Sequence, residues 1–279
     1  MLFREAMPKK DFKIHSICVV KNEVDIIGYC LEQASQWSDY IYIYDNGSTD
    51  GTWEKVLSIQ NEKIIAWKQD DKVFQESLRG EVFNAFKHQA RPGDWWCRLD
   101  SDEFYVQSPR EFLANVSPYN HVVWGIAIEY YLTDKDIHSI NFETSTPEIL
   151  SLLRYYKAEN SEPRFFKHRN SLVWDNGSWP KHMGVVEQER IFYKHYKYRS
   201  PTQIKQRLDT RRQSRERGFP GWEHAAETDW RQKIVSFEKL HYDTHKGRYI
   251  TDIVKLPNHL DPFHKRFLKR AMHGVGIWP

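Results

Sequence analysis

Cysteine is scarce, with three residues in 279, Cys18, Cys30 and Cys97, each inside an apolar run. An odd, dispersed set excludes a disulfide framework, and no C-x-x-C or H-E-x-x-H pattern offers a zinc site. The three thiols read as reduced core residues of a cytoplasmic protein. Long apolar runs are missing too. The longest, residues 122–128, is far short of the roughly 20 residues that a spanning helix needs. Residues 1–13 are charged and lack the apolar stretch of a signal peptide. The expectation is a soluble cytoplasmic chain, with a peripheral contact at the inner face of a membrane left open. There is little excess of charge of one sign, since 41 Lys+Arg against 38 Asp+Glu leave a formal net charge of +3. Bulk electrostatics therefore give no reason to expect a nucleic-acid partner. Neither G-x-x-x-x-G-K-[ST] nor G-x-G-x-x-G occurs, which argues against a kinase, an ATPase or a dehydrogenase. No internal repeat, low-complexity segment or evident linker interrupts the chain.

What is present is a composition suited to a large core: 40% hydrophobic, 28% charged and 15% aromatic residues, with 11 Trp. The first half alternates strand and helix patterns. Strands are expected at 14–20, 40–44, 64–67 and 95–99. Helices are expected at 24–37 (apolar Ile26, Ile27, Cys30, Leu31 and Ala34 at helical spacing), 53–59 and 77–89. Such alternation implies an α/β fold with a mostly parallel sheet covered on both faces, whose ligands sit outside the carboxyl ends of the strands. The second half is less regular. It reads as a strand-like run at 121–132, a helix near 147–156, and short strands at 164–168, 172–174 and 190–196. Ser200-Pro201 opens a strong helix that stops at Gly218. Residues beyond 222 read as a helical, aromatic, His-rich extension.

Four constellations could carry chemistry. Asp100-Ser101-Asp102-Glu103 places three carboxylates just after a buried strand. They are tolerable only if solvated or neutralised by a cation, and hard divalent ions such as Mg²⁺ or Mn²⁺ take such ligands. The run 45–52 (DNGSTDGT) also follows a strand and precedes a helix. It is either an ordinary turn and cap, or a loop in which Asp45 accepts hydrogen bonds from a nucleoside. Lys194-His195-Tyr196 ends a late strand, and a mixed Asp/His set suits Mn²⁺. His168, His182, His224 and His241 cannot be ranked against His195. Arg207, Arg211, Arg212, Arg215 and Arg217 share a helix. They form a solvated face, or a grip on a diphosphate, an anionic lipid headgroup or RNA.

Taken together, Lys21-Asn22-Glu23 after the first strand, Asp45 to Thr52 after the second and Asp100-Ser101-Asp102-Glu103-Phe104 after the fourth resemble glycosyltransferase family 2. The similarity is to its bacterial branch with a K-N-E start and a D-x-D-E-F motif. Arg164-Phe165-Phe166, the run 194–201 (KHYKYRSP) and the run 207–212 (RLDTRR) are also similar to that branch, so the resemblance spans about residues 14–220. It implies a GT-A fold, a Rossmann-like α/β/α sandwich with a nucleotide-sugar half (about 14–105) and an acceptor half (about 106–220). Residues 221–279 would then be a C-terminal helical extension packed on the same domain. The implied reaction is metal-dependent, inverting transfer of a sugar from a UDP- or GDP-sugar to an acceptor hydroxyl. The acceptor would be a glycan or lipid-linked glycan of the cell surface. By that resemblance Asp45 contacts the base, Asp100 lies near the ribose and Asp102 holds Mn²⁺ or Mg²⁺. Lys21, Asn22 and Glu23 line the nucleotide cleft, Arg79 touches the diphosphate and His195 completes the metal or diphosphate site. The branch's familiar Glu-Asp base motif has no clear copy, which leaves Asp175 and then Glu187 as candidates for the catalytic base. The alternatives are a nucleotide-sugar binding protein without turnover, a nucleotidyltransferase and, last, an RNA-binding module built on the arginine-rich helix.

Overall fold

A computed structural model describes residues 11–219, 221 and 227–278. Its first half follows the alternation of the sequence. β1 (Ile14–Val20), β2 (Tyr40–Asp45), β3 (Ile64–Gln69) and β4 (Trp95–Leu99) are joined through α1 (Val24–Ser35), α2 (Thr52–Ile59) and α3 (Leu78–Phe86). These four strands are parallel and lie in the order β3-β2-β1-β4. Period-two alternation sends neighbouring residues of β1 to opposite faces. Cys18 and Val20 pack with Ile27, Leu31 and Val56 of α1 and α2, while Ile17 packs with Leu78, Val82 and Phe83 of α3. Both faces are covered, giving the α/β architecture expected.

Beyond β4 the sheet continues through antiparallel and parallel pairings. After β5 (Glu103–Tyr105) and α4 (Pro109–Asn115) come β6 (Val122–Tyr130), α5 (Asp134–Ser139), α6 (Thr146–Leu152), β7 (Tyr155–Lys167) and β8 (Ile191–His195). The full order is β3-β2-β1-β4-β7-β6-β8-β5. α7 (Pro201–Glu216) starts as its sequence indicates. Ser200 Oγ accepts from Gln203 N, Pro201 sits at the first helical position, and Gly218 follows the end at φ +99°. β9 (His241–Tyr242), two short 3₁₀ turns and α8 (Phe263–Gly274) are the regular elements after residue 227. β9 pairs with β7, and His259 and His273 pack on Trp124 and His121 of the sheet side. Residues 222–226, where that extension was expected to begin, lie outside the described residues.

Three expectations change. The helix near 147–156 ends at Leu152, and β7 runs for 13 residues from Tyr155, far longer than the strand expected at 164–168. Pro163 and a polar middle hide this strand in the sequence, because proline removes a ladder hydrogen bond. The sheet accommodates it with a register shift between Val123 and Trp124, the residue opposite Pro163. Residues 172–174 form no strand. Leu172 and Trp174 are instead buried loop anchors packed with Leu78, Val82 and Phe83 of α3.

One glycine permits the close packing of β6, β7 and β8. A Cβ on Gly125 of β6 would lie 2.7 Å from both Arg164 Cγ and Tyr193 Cε1. Both neighbours are buried and cannot swing aside. Gly125→Ala is therefore expected to lower stability by about 1–3 kcal/mol through overpacking, measured by urea unfolding. An unchanged midpoint would contradict this packing.

Candidate active site

The site forms where β4 leaves the sheet. The turn at Asp100 to Asp102 leads straight into β5, and β5 pairs antiparallel with β8 so that Glu103 stands opposite His195. β8 in turn runs parallel to β6, with His195 opposite Glu129. This register sets the His195 ring between two carboxylates. Its Nε2 lies 3.5 Å from Asp102 Oδ2 and its Nδ1 3.8 Å from Glu129 Oε1. From above, Arg207 of α7 brings Nη1 to 2.9 Å from Asp102 Oδ2 and 3.0 Å from Glu23 Oε1. Arg199 ties Glu23 to Asp25. Burial alone would push the Asp102 pKa up, but His195 and Arg207 outweigh it and hold that carboxyl below the usual range.

Asp100 has a different set of partners. Arg79 Nη2 lies 2.6 Å from its Oδ1, and Arg98 Nε and Arg164 Nη1 lie 3.1 and 3.4 Å from its Oδ2. Again burial works against the charge, and Arg98, Arg79 and Arg164 together hold the carboxyl well below its ordinary value. The fully buried Arg164 also donates to Glu103, to Glu162 at 2.8 Å and to the Arg98 carbonyl at 2.8 Å.

Two sets of side chains come under consideration for a divalent cation. Asp100, Glu103 and Glu162 bring one oxygen each within 4.8 Å of one another. Arg164 Nη1 already contacts all three, at 3.4, 3.3 and 2.8 Å, so their charge is met by the protein. The Asp102–His195 pair is the second set. Its 3.5 Å gap between Oδ2 and Nε2 can be bridged by one ion with bonds near 2.1 Å. Glu129 on the far ring nitrogen is the outer partner that such a histidine ordinarily has. Arg207 covers this pair, with Nη1 at 2.9 Å from the same Asp102 Oδ2, as Arg164 covers the first set.

Against Arg207 lies a cleft of about 130 Å³, walled by Lys21, Asn22 and Glu23 on one side and Arg207, Thr210 and Arg211 on the other. Asn22, at φ +55°, clamps the wall. Its Oδ1 accepts from Thr49 N at 2.8 Å and its Nδ2 donates to Thr210 Oγ1 at 3.0 Å. Lys21 Nζ lies 3.6 Å from Asp71, which also accepts from Arg217 beyond α7. Two polar atoms of residues lining the cleft are buried without a hydrogen-bond partner among the described residues, Asn46 Oδ1 and Arg207 Nε, and a third, Asp45 Oδ2, belongs to the fully buried residue just before Asn46. Asp45 Oδ1, by contrast, accepts from Ser48 N at 2.7 Å. Two orphan acceptors and one orphan cationic donor suit a ligand with both N–H or O–H donors and an anionic oxygen.

The fold thus brings Lys21, Asn22, Glu23, Asp45, Asp100, Asp102 and His195 to one edge of the sheet. Arg79 reaches that edge as well, but is engaged with Asp100 and Glu76 at 2.6 Å each. The two candidate bases are not brought in. Asp175 is exposed, paired with Lys181 at 2.8 Å, in a separate hollow beside α3. Glu187 N donates to Val122 O at the opposite end of β6, and its side chain accepts from Asn120. His168 lies in the core, where Nδ1 accepts from Trp96 Nε1. His182 stacks elsewhere, on Trp278, His241 packs at a tilt on Tyr156, and His224 lies outside the described residues. The sequence reading gave no individual role to Arg207, Arg164, Arg199 or Glu129. The one local signal for Glu129 is a lone carboxylate near the end of an apolar strand.

The fold and site define an α/β chain whose parallel strands present a charged ligand cleft at their carboxyl ends. No protein-family model and no curated protein sequence matches it. Among solved structures it is similar to mannosyl-3-phosphoglycerate synthase from Rubrobacter xylanophilus, at a TM-score of 0.35 and 13% identity over 77% of this chain and 80% of that one. The functional reading rests on the site.

Removing the central guanidinium tests the electrostatics. Arg164→Met leaves Glu103 and Asp100 short of a buried partner and is expected to cost about 3–5 kcal/mol. Of the two, Asp100 has the depressed folded pKa, while burial raises that of Glu103; Asp100 therefore stabilises fully above its unfolded value of about 3.9, and this is lost as pH falls through the folded value. With Arg164 gone that depression lessens, so acid unfolding of the variant should begin at higher pH. Circular dichroism against pH reads both effects, and superimposable acid transitions would contradict the assignment.

Proposed function

We propose that the chain is a metal-dependent, inverting glycosyltransferase that moves a sugar from a nucleotide-diphosphate sugar to an acceptor hydroxyl. We place it in the cytoplasm, in the synthesis of cell-surface glycans. The observation that carries this reading is the cleft between Lys21-Asn22-Glu23 and the Arg207 side of α7, with an unpaired acceptor at Asn46 on its wall, another at the adjoining buried Asp45, and the Asp102–His195 pair behind Arg207. Its parts match the parts of such a donor. Asp45 and Asn46 would accept from base N–H and ribose O–H groups. Lys21, Arg207 and Arg211 would face the diphosphate. Residues 1–220 would form the transferase unit, and 221–279 its extension.

Sugar transfer separates an oxocarbenium-like centre from a diphosphate on which negative charge builds, and fixed cations aimed at that charge lower the barrier. A divalent ion held by Asp102 and His195 would supply further Lewis-acid stabilisation of the same oxygens. Glu129 would keep the His195 ring oriented. Arg207 would turn its unpaired Nε toward the diphosphate as its bond to Asp102 is released. Binding without turnover is the second reading, because neither Asp175 nor Glu187 lines the cleft.

Asp102→Asn keeps the shape of the side chain and is expected to lower the transfer rate by about 10²–10³-fold at a temperature where circular dichroism still shows the native fold, with a lowered melting temperature because Arg207 loses a buried partner. Transfer at the original rate by this variant with metal chelated would overturn the mechanism. A thermal-shift panel of UDP- and GDP-sugars with and without Mn²⁺ identifies the donor, because a ligand of the native state raises the melting temperature by mass action. Stabilisation of the protein with no sugar release would favour the second reading. No stabilisation by any nucleotide would exclude both.

A further inference from the structure

Tyr119 aside, the described large apolar side chains that are 61–95% exposed all lie between residues 250 and 277. α8 carries the clearest part of this surface, because its apolar side faces outward. At 100° per residue Phe263, Phe267 and Gly274 fall on one line, with Leu268 on the flank. Phe263 is 83% exposed, Phe267 68% and Leu268 53%. The half-buried residues of the helix are Arg266, Lys269, Met272 and His273. Lys269 pairs with Asp261 and the His273 ring packs edge-on to His121 at 4.8 Å. A surface helix of a domain normally does the reverse.

Charge indicates what covers this face. α8 contains no acidic residue, and Lys265 and Arg270 are exposed. Residues 246–278 hold seven Lys/Arg against two Asp, a net +5 in a chain whose total is +3. A two-fold contact with a second copy would bring these cations toward their own equivalents. At about 1.5 Å per residue, a helix of 12 residues is roughly 18 Å long, too short to cross a bilayer but suited to lie in its interface.

We propose that α8 seats the protein on an anionic lipid surface. Phe263, Phe267 and Leu268 enter the headgroup boundary, and Lys265 and Arg270 pair with lipid phosphates. This is independent of the reaction assigned to the cleft. The test is co-sedimentation of the full chain with phosphatidylcholine vesicles with and without phosphatidylglycerol. The wild type should bind the anionic vesicles on the order of tenfold more tightly than the neutral ones, less so at high salt. Phe263→Ser/Phe267→Ser should lose binding on the order of tenfold with an unchanged melting temperature, since both rings are exposed. Lys265→Glu/Arg270→Glu should lose the preference for anionic vesicles. Equal partition of the wild type on both vesicles, or full binding by the phenylalanine variant, would overturn the proposal. A dimer in sedimentation equilibrium that the phenylalanine variant dissolves would overturn it as well, assigning the face to a second copy.

Discussion

Buried carboxylates at the end of β4 set the terms for the rest of the molecule. Asp102 and Glu103 are almost inaccessible and Asp100 is partly buried. An ionised group buried without a partner costs several kcal/mol. Compensation arrives from every side: Arg98 from β4 itself, Arg79 from α3, Arg164 from β7, His195 from β8 and Arg207 from α7. These ion pairs tie the parallel half of the sheet to the antiparallel half and fix α7 over the edge. A structural demand and a binding geometry are met by the same residues.

The two acids of the D-x-D are not equivalent. Asp100 is saturated by three guanidinium groups, which suits a part that holds shape. Asp102 has one histidine and one arginine, and that arginine also lines the cleft. On the proposed function, a site for a cation and a diphosphate would need one labile partner, and Arg207 would be it. Glu23, joined to Arg207 and Arg199, would leave that guanidinium a second carboxylate.

How much of this could be read from the sequence follows from the range of each interaction. The 3.6 and 2 periodicities of residues 14–99 are local, so the parallel half was legible with its faces correctly assigned. Strand ends mark ligand edges, so Lys21, Asp45, Asp100 and Asp102 were legible as candidates. The need for positive charge at Asp100 to Glu103 was legible too, but its source was not. Arg164 and Arg207 stand 61 and 105 residues away from the acids they serve, and only the register of β4 with β7 and the path of α7 deliver them. Glu129 is paired with His195 across 66 residues by the β6–β8 register alone. The two candidate bases lie apart from the cleft: Asp175 and Glu187 line other hollows.

The central claim is that the Asp102–His195 pair and the cleft beside it form one site for a cation and a nucleoside diphosphate. Anomalous diffraction from crystals grown with Mn²⁺ and a nucleoside diphosphate measures this directly. The account predicts a manganese peak bonded to Asp102 and His195, with the diphosphate lying between Lys21 and Arg207. A peak among Asp100, Glu103 and Glu162, or a nucleotide bound outside this cleft, would contradict it.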